Sequence, residues 1–257
     1  MTTFVSPDNT VHFSTIKRIG DSGKQYLEAL RSRDGKSSPA QLLGTAVHSM
    51  VLGSRPGESI VRYVGRRAGK EWDAFEAVHA GATILNEAEW AKAEAVAEAV
   101  RADPVARDHM VNARFELPLS WDDGGVACST SGVDIVQPRR IGDLKTAAST
   151  HIETFQRQAF NFSYHAQLAW YRRGARANGL DVTQGVFVVA VETCPPYEVV
   201  VHELSEDLID LGDRTVTLWL ERFKVYRDSD MWPGRAQCPV VWTVPAWMSA
   251  SEEDADV

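Results

Sequence analysis

The stretch that most constrains this chain is GVDIVQPRRIGDLKT, residues 132–146. Its Val, Ile and Leu residues read as two short apolar strands, with QPRR as the turn between them. A four-residue loop pairs Val136 with Ile141 and sets Asp134 directly opposite Asp143. Cβ atoms of such cross-strand neighbours lie about 4.5–5.5 Å apart. Two carboxylates at that separation repel each other, and the cost rises on a half-buried sheet. A divalent cation between them removes the conflict. Hard carboxylate oxygens with no cysteine nearby favour Mg²⁺, with Mn²⁺ as a substitute, over zinc. Lys145 lies two residues beyond Asp143 and emerges on the same face. An ammonium there can hold an attacking water or counter charge building on a phosphate oxygen. Arg139 and Arg140 sit at the far end of the hairpin, outside such a site. The spacing alone also fits a surface hairpin with solvated charges.

The remaining sequence supplies the setting. With 257 residues, 44% hydrophobic and 24% charged, the chain suits a single domain over 1–257 with a sizeable core. The acidic end, within 249–257, reads as a solvated, flexible tail. The formal net charge of -8 argues against coating nucleic acid by bulk charge, and leaves room for a local basic groove. Bases gather at Arg66–Arg67–Lys70, Arg139–Arg140 and Arg172–Arg173–Arg176. The sequence has no apolar run of spanning length and no secretory pattern at its start, so a cytoplasmic protein without membrane contact is expected. Cys128, Cys194 and Cys238 are scattered and odd in number, which reads as three reduced thiols.

Helical signals cover 13–33, 40–52, 86–102, one long stretch over 151–179 stopped by Asn178-Gly179, and 205–228 with Ser205 as N-cap. Strand signals cover 113–121, 126–136, 141–146, 185–192 and 197–204. Residues 34–39 read as a loop, 53–70 as an exposed loop with a short strand, and 122–125 as a turn. The order predicts an α/β or α+β core with a mixed sheet.

Three further features bear on the hairpin. His48 lies in the helix GTAVHSMVL, with Gly44 one turn earlier on the same face, where a glycine permits close approach of another backbone. Glu116 lies mid-strand in FELPL, on the face opposite Phe115 and Leu117. Tyr164, Gln167 and Tyr171 share one helical face in YHAQLAWY. Each has an ordinary reading as a core or surface residue.

Taken together, GVD…GDLKT with an upstream helical His and a downstream Q-x-x-x-Y resembles the RecB-type branch of the PD-(D/E)xK nuclease superfamily. The first acid lacks the preceding proline of the motif. The narrower series GTAVHSMVL, GKEW, ELPLSW, GDLKTAAS, YHAQLAWY, WPG and PAW, over roughly 13 to 248, is similar to phage and prophage RecE-type exonucleases, the exonuclease VIII group. The resemblance implies a restriction-endonuclease-like α/β core, a mixed central sheet flanked by helices. It implies His48, Asp134, Asp143 and the Leu144 carbonyl as Mg²⁺ ligands and Lys145 as catalytic. Gln167 and Tyr171 would support the lysine and the DNA, with Tyr164 as a neighbour and Glu116 as a site-lining acid. Related nucleases with an iron–sulfur cluster need four cysteines, so no such cluster is expected.

The function implied is Mg²⁺-dependent 5′→3′ degradation of double-stranded DNA from its ends, leaving 3′ overhangs for strand annealing. Ring-shaped homo-oligomers and a RecT-type single-strand annealing partner come with that resemblance. Arg66, Arg67 and Lys70 could track the entering duplex without sequence preference. An endonuclease, a single-strand-specific nuclease, a catalytically silent DNA-binding protein of the same fold and a small-phosphoester hydrolase remain alternatives.

Overall fold

The computed structural model describes residues 10–32, 37–55 and 57–244. The PAW motif at 245–247, the acidic tail and part of the 34–39 loop lie outside the described residues. In chain order the elements begin with β1 (Val11–His12), α1 (Phe13–Ile16), a 3₁₀ turn (Lys17–Gly20), α2 (Gly23–Arg31) and α3 (Pro39–Leu52). Then come β2 (Ile60–Arg62), α4 (Lys70–Val78), β3 (Thr83–Leu85), α5 (Glu87–Ala102), α6 (Pro104–Asp108), β4 (Arg114–Asp122), β5 (Ala127–Val136) and β6 (Ile141–Ala147). The chain continues through α7 (Ile152–Asn161), α8 (Tyr164–Ala177), β7 (Val186–Glu192), β8 (Val199–Leu204) and α9 (Glu206–Ser229).

The main sheet is mixed and runs β1-β5-β6-β7-β8, with β4 also paired to β5. β6 and β7 are parallel and joined through α7 and α8, the long crossover that parallel strands need. The strand β7, VFVVAVE, shows why the sheet lies at the centre. Val186, Val188 and Ala190 enter one apolar cluster with α8 and α9, while Phe187, Val189 and Val191 enter another with α3 and α5. A strand buried on both faces reads as an unbroken apolar run. β6 obeys the same alternation. Ile141 and Ala147 face α8–α9, and Leu144 faces α3–α5. Asp143 and Lys145 therefore point to the α8–α9 side.

Capping explains the helix starts. Ser38 and Asn86 each form a reciprocal capping box, with Gln41 and Glu89, and Ser205 caps α9 as expected. The 13–33 segment is not one helix: it divides into α1, the 3₁₀ turn and α2, with Ser22 capping the last. The expected single helix over 151–179 is also broken. Ser163 takes φ 61°, in the left-handed region, and separates α7 from α8. Its sequence, Asn-Phe-Ser, carries no Gly or Pro to mark the break. The stop at Asn178-Gly179 is present, with Gly179 at φ 72°.

The basic run on α8 joins helices. Arg172 is buried and pairs with Glu206 and Asp210; Arg173 reaches Asp213 and Asp123. At WPG, Trp232 stacks on Tyr26 with ring centroids 5.2 Å apart, which fastens the segment after α9 to α2.

Candidate metal and phosphodiester site

The turn sets the predicted register. Val136 pairs with Ile141, and Gln137 N–H donates to Arg140 O at 2.9 Å. The ladder between β5 and β6 then ends at Ile135–Gly142, one step before the aspartates. β4 occupies one edge of β5, and β1 pairs with Cys128 and Ser129 on the other. β6 shares that second edge only at Ile135 and Val136, then continues beside β7. The two strands form a fork with the acids at its opening. Asp134 and Asp143 are each only 1% exposed. Asp134 Oδ2 accepts the Leu144 N–H at 2.9 Å, replacing a ladder bond with a side-chain bond.

Glu116 reaches the fork because β4 is irregular. Glu116 takes φ 50°, rarely adopted by a non-glycine residue. Between Leu117 and Leu119 the register shifts: Leu117 faces Val133 but Leu119 faces Thr130, so β5 carries one extra residue. Gly132 lies in that bulge, and a Cβ there would overlap Glu116 Oε2. The missing side chain is the space that Glu116 fills.

α3 brings His48 from the other side. His48 Nε2 lies 2.6 Å from Leu144 O, and Nδ1 lies 3.5 Å from Asp134 and 3.9 Å from Glu116. Burial disfavours the imidazolium, but Asp134 and Glu116 outweigh it and raise the His48 pKa. Burial likewise opposes the Glu116 carboxylate, while His48 and Arg55 hydrogen bonds prevail and lower its pKa. Gly44 does not make the expected close backbone approach: a Cβ there would meet only Thr146 Oγ1, at 3.4 Å.

Arg55 is the residue that sequence reasoning missed. Its Nε donates to Glu116 and its guanidinium lies 3.4 Å from Asp134. The available signal was position: an arginine two turns beyond His48, just past the end of α3.

Asp143 occupies the second half of the fork. Its carboxylate pairs with Lys145 and accepts from Gln167 at 3.4 Å; Gln167 also donates to Tyr171 OH at 2.8 Å. Burial pushes Asp143 up to about 6, with Lys145 opposing and Asp134 adding to the shift. Burial disfavours the Lys145 ammonium, but Asp143 and Asp134 overcome it and raise its pKa. Burial, then Asp143 and Asp134, raise the Tyr171 phenol, so it stays neutral. Lys145 Nζ lies 5.0 Å from the centroid of the Tyr164 ring.

Ligand atoms of His48, Glu116 and Asp134 all lie within 4.8 Å of one another, the spacing that a shared cation requires. Two carboxylates with one imidazole suit a hard divalent ion, whereas the Leu144 carbonyl is engaged by the opposite ring nitrogen of His48. Asp143 is not in that triplet, so the grouping differs from a cation simply bridging the two aspartates. Arg67 is already engaged by Glu89 and by Ile84 O, whereas Arg66 and Lys70 are exposed. Arg139 and Arg140 pair with Asp181 and Glu203 at the closed end of the hairpin.

Residues 12–241 match the family described as "PDDEXK-like domain of unknown function (DUF3799)". Among solved structures, the chain is similar to a "Putative exonuclease" from Eubacterium rectale, with a TM-score of 0.65, 15% identity and 98% of each chain covered. No curated protein matches. Among the described residues, no helix is long and apolar enough to cross a membrane.

Proposed function

Since the chain belongs to the PDDEXK-like family that spans its residues 12–241, we propose that it is a divalent-metal-dependent double-strand DNA exonuclease. The observation that carries this reading is the convergence of His48, Glu116 and Asp134 beside the buried Asp143–Lys145 pair. The neighbour of similar fold, described as a "Putative exonuclease", and the RecE-type motif series support the same reading. Degradation runs 5′→3′ and leaves 3′ overhangs for recombination by strand annealing.

His48, Glu116, Asp134, the Leu144 carbonyl and Asp143 would hold Mg²⁺ or Mn²⁺. Such an ion polarises a phosphate and makes a bound water more acidic. Lys145, kept protonated by its two acids, acts as a fixed cation and hydrogen-bond donor toward the phosphate or the attacking water. Gln167, anchored by the neutral Tyr171, orients Asp143. Arg66 and Lys70 contact the duplex backbone, which gives affinity without sequence preference. A homo-oligomeric ring, a RecT-type annealing partner and a cytoplasmic setting complete the proposal.

The test is digestion of 5′-end-labelled linear duplex with Mg²⁺, beside a closed circle. The label is released from the linear DNA, the circle survives, and Asp143→Ala is inactive. Opening of the circle would make the protein an endonuclease; cleavage that survives Asp143→Ala would refute the site.

A further inference from the structure

Beside the lysine lies a cavity of about 350 Å³ that the reaction as described does not use. Its walls include Phe155, Phe160, Tyr164, His165, Val188 and His202. Sheet register places it on the catalytic face. Asp143 pairs with Val188, and Val188 with His202, so the three share one row across β6, β7 and β8. Two strand spacings of about 4.8 Å put His202 roughly 10 Å from Asp143 along that row. Tyr164 belongs to both places: its ring lies under Lys145 Nζ and lines the cavity.

The break at Ser163 is what assembles the aromatic groups. It gathers Phe160 and Phe162 from one side and Tyr164 and His165 from the other. Phe162 stacks on Tyr164 with centroids 5.9 Å apart, and Phe160 lies 5.0 Å from His165. Phe155 stacks on His202 at 4.6 Å and 13°. Phe160 and Phe162 remain 51% and 49% exposed, although each is a large apolar ring. His202 Nε2 is buried and finds no hydrogen-bond partner among the described residues.

The chemistry of the lining selects its occupant. Among the described residues no lysine or arginine lines the cavity, and Glu203 does, so a phosphate is not the group it takes. Burial lowers the pKa of both His165 and His202, which leaves neutral imidazoles able to hydrogen-bond a flat polar edge. Flat rings with a polar edge, delivered along a phosphate chain that passes Lys145, are nucleobases. We infer that this cavity receives an unpaired nucleobase of the strand held at Lys145. The inference rests on the nuclease reading and adds a base-binding subsite to it. Aromatic stacking tolerates every base, which suits a nuclease without sequence preference.

The test uses the full chain with Ca²⁺ in place of Mg²⁺ and short duplexes frayed by two mismatches at each end. One set carries normal bases in the frayed positions, and the other carries abasic sites. Fluorescence anisotropy gives each Kd. The abasic set binds about tenfold more weakly to the wild type. Phe160→Ala, at a half-exposed position, weakens binding of the base-bearing set by a similar factor and leaves the abasic set unchanged. His165→Ala repeats the measurement at a second residue of the cavity wall. Equal affinity of the wild type for both sets would overturn the subsite and leave the nuclease reading intact. Binding of neither set would overturn both.

Discussion

The two ends of the β5–β6 hairpin carry the same kinds of charge and treat them differently. At the closed end, exposed Arg139 meets Asp181 and half-buried Arg140 meets the exposed Glu203, in pairs of a kind worth little to stability. At the open end, Asp134, Asp143 and Lys145 are withdrawn from water among His48, Glu116 and Arg55. Burial of that kind costs stability unless every charge is matched. The closed end sets register, and the open end gathers the charges proposed to hold a metal ion.

The contrast is broken most forcefully at Lys145. Lys145→Met leaves Asp143 buried without its cation and lowers stability by about 3–5 kcal/mol at neutral pH. The loss shrinks as pH falls, since burial already pushes Asp143 up to about 6 and the protonated acid needs no partner. The double variant Asp143→Asn with Lys145→Met removes both charges and recovers most of that stability, while nuclease activity stays absent. Urea unfolding of the three proteins with a chelator present measures these differences.

Gly132→Ala separates site geometry from stability. Its Cβ displaces the Glu116 carboxylate and crowds Arg55 Nε and the Glu116 backbone carbonyl carbon, each 3.2 Å away, so β4 must give by a few tenths of an ångström. Mn²⁺ affinity is expected to fall about 10–100-fold, as when groups that orient ligands are lost, with a small change in Tm. Calorimetric titration and thermal unfolding of the same sample decide it. Gly44→Ala, on the helix that carries His48, gains about 0.5–1 kcal/mol from helix propensity, because only Thr146 Oγ1 lies near the added methyl. Smallest of all, Arg139→Ala at the closed end changes stability by no more than about 0.5 kcal/mol and leaves nuclease activity unaltered. A large effect there would erase the distinction between the two ends.

Much of the open end was legible because period and turn length act locally. QPRR dictated Val136 opposite Ile141, and period two placed Lys145 on the side of Asp143. Tyr164, Gln167 and Tyr171 share the predicted helical face. The points that escaped depend on contacts distant in sequence. The fork opens because β6 leaves β5 for β7, a choice that no hairpin pattern contains. Arg55 finds Glu116 across 61 residues of chain, and Gly132 matters only through the bulge that admits Glu116. The break at Ser163 is local but carries neither Gly nor Pro. Short β1 and β3 give too few residues for a strand period to show.

The open end of the hairpin is proposed as a divalent-metal site. Calorimetric titration of Mn²⁺ into the wild type and into Asp134→Asn tests it directly. The wild type should give a saturable isotherm, and the variant, with one oxygen ligand replaced by an amide, should bind at least about tenfold more weakly. An isotherm that is flat for the wild type, or identical for the two proteins, would contradict it.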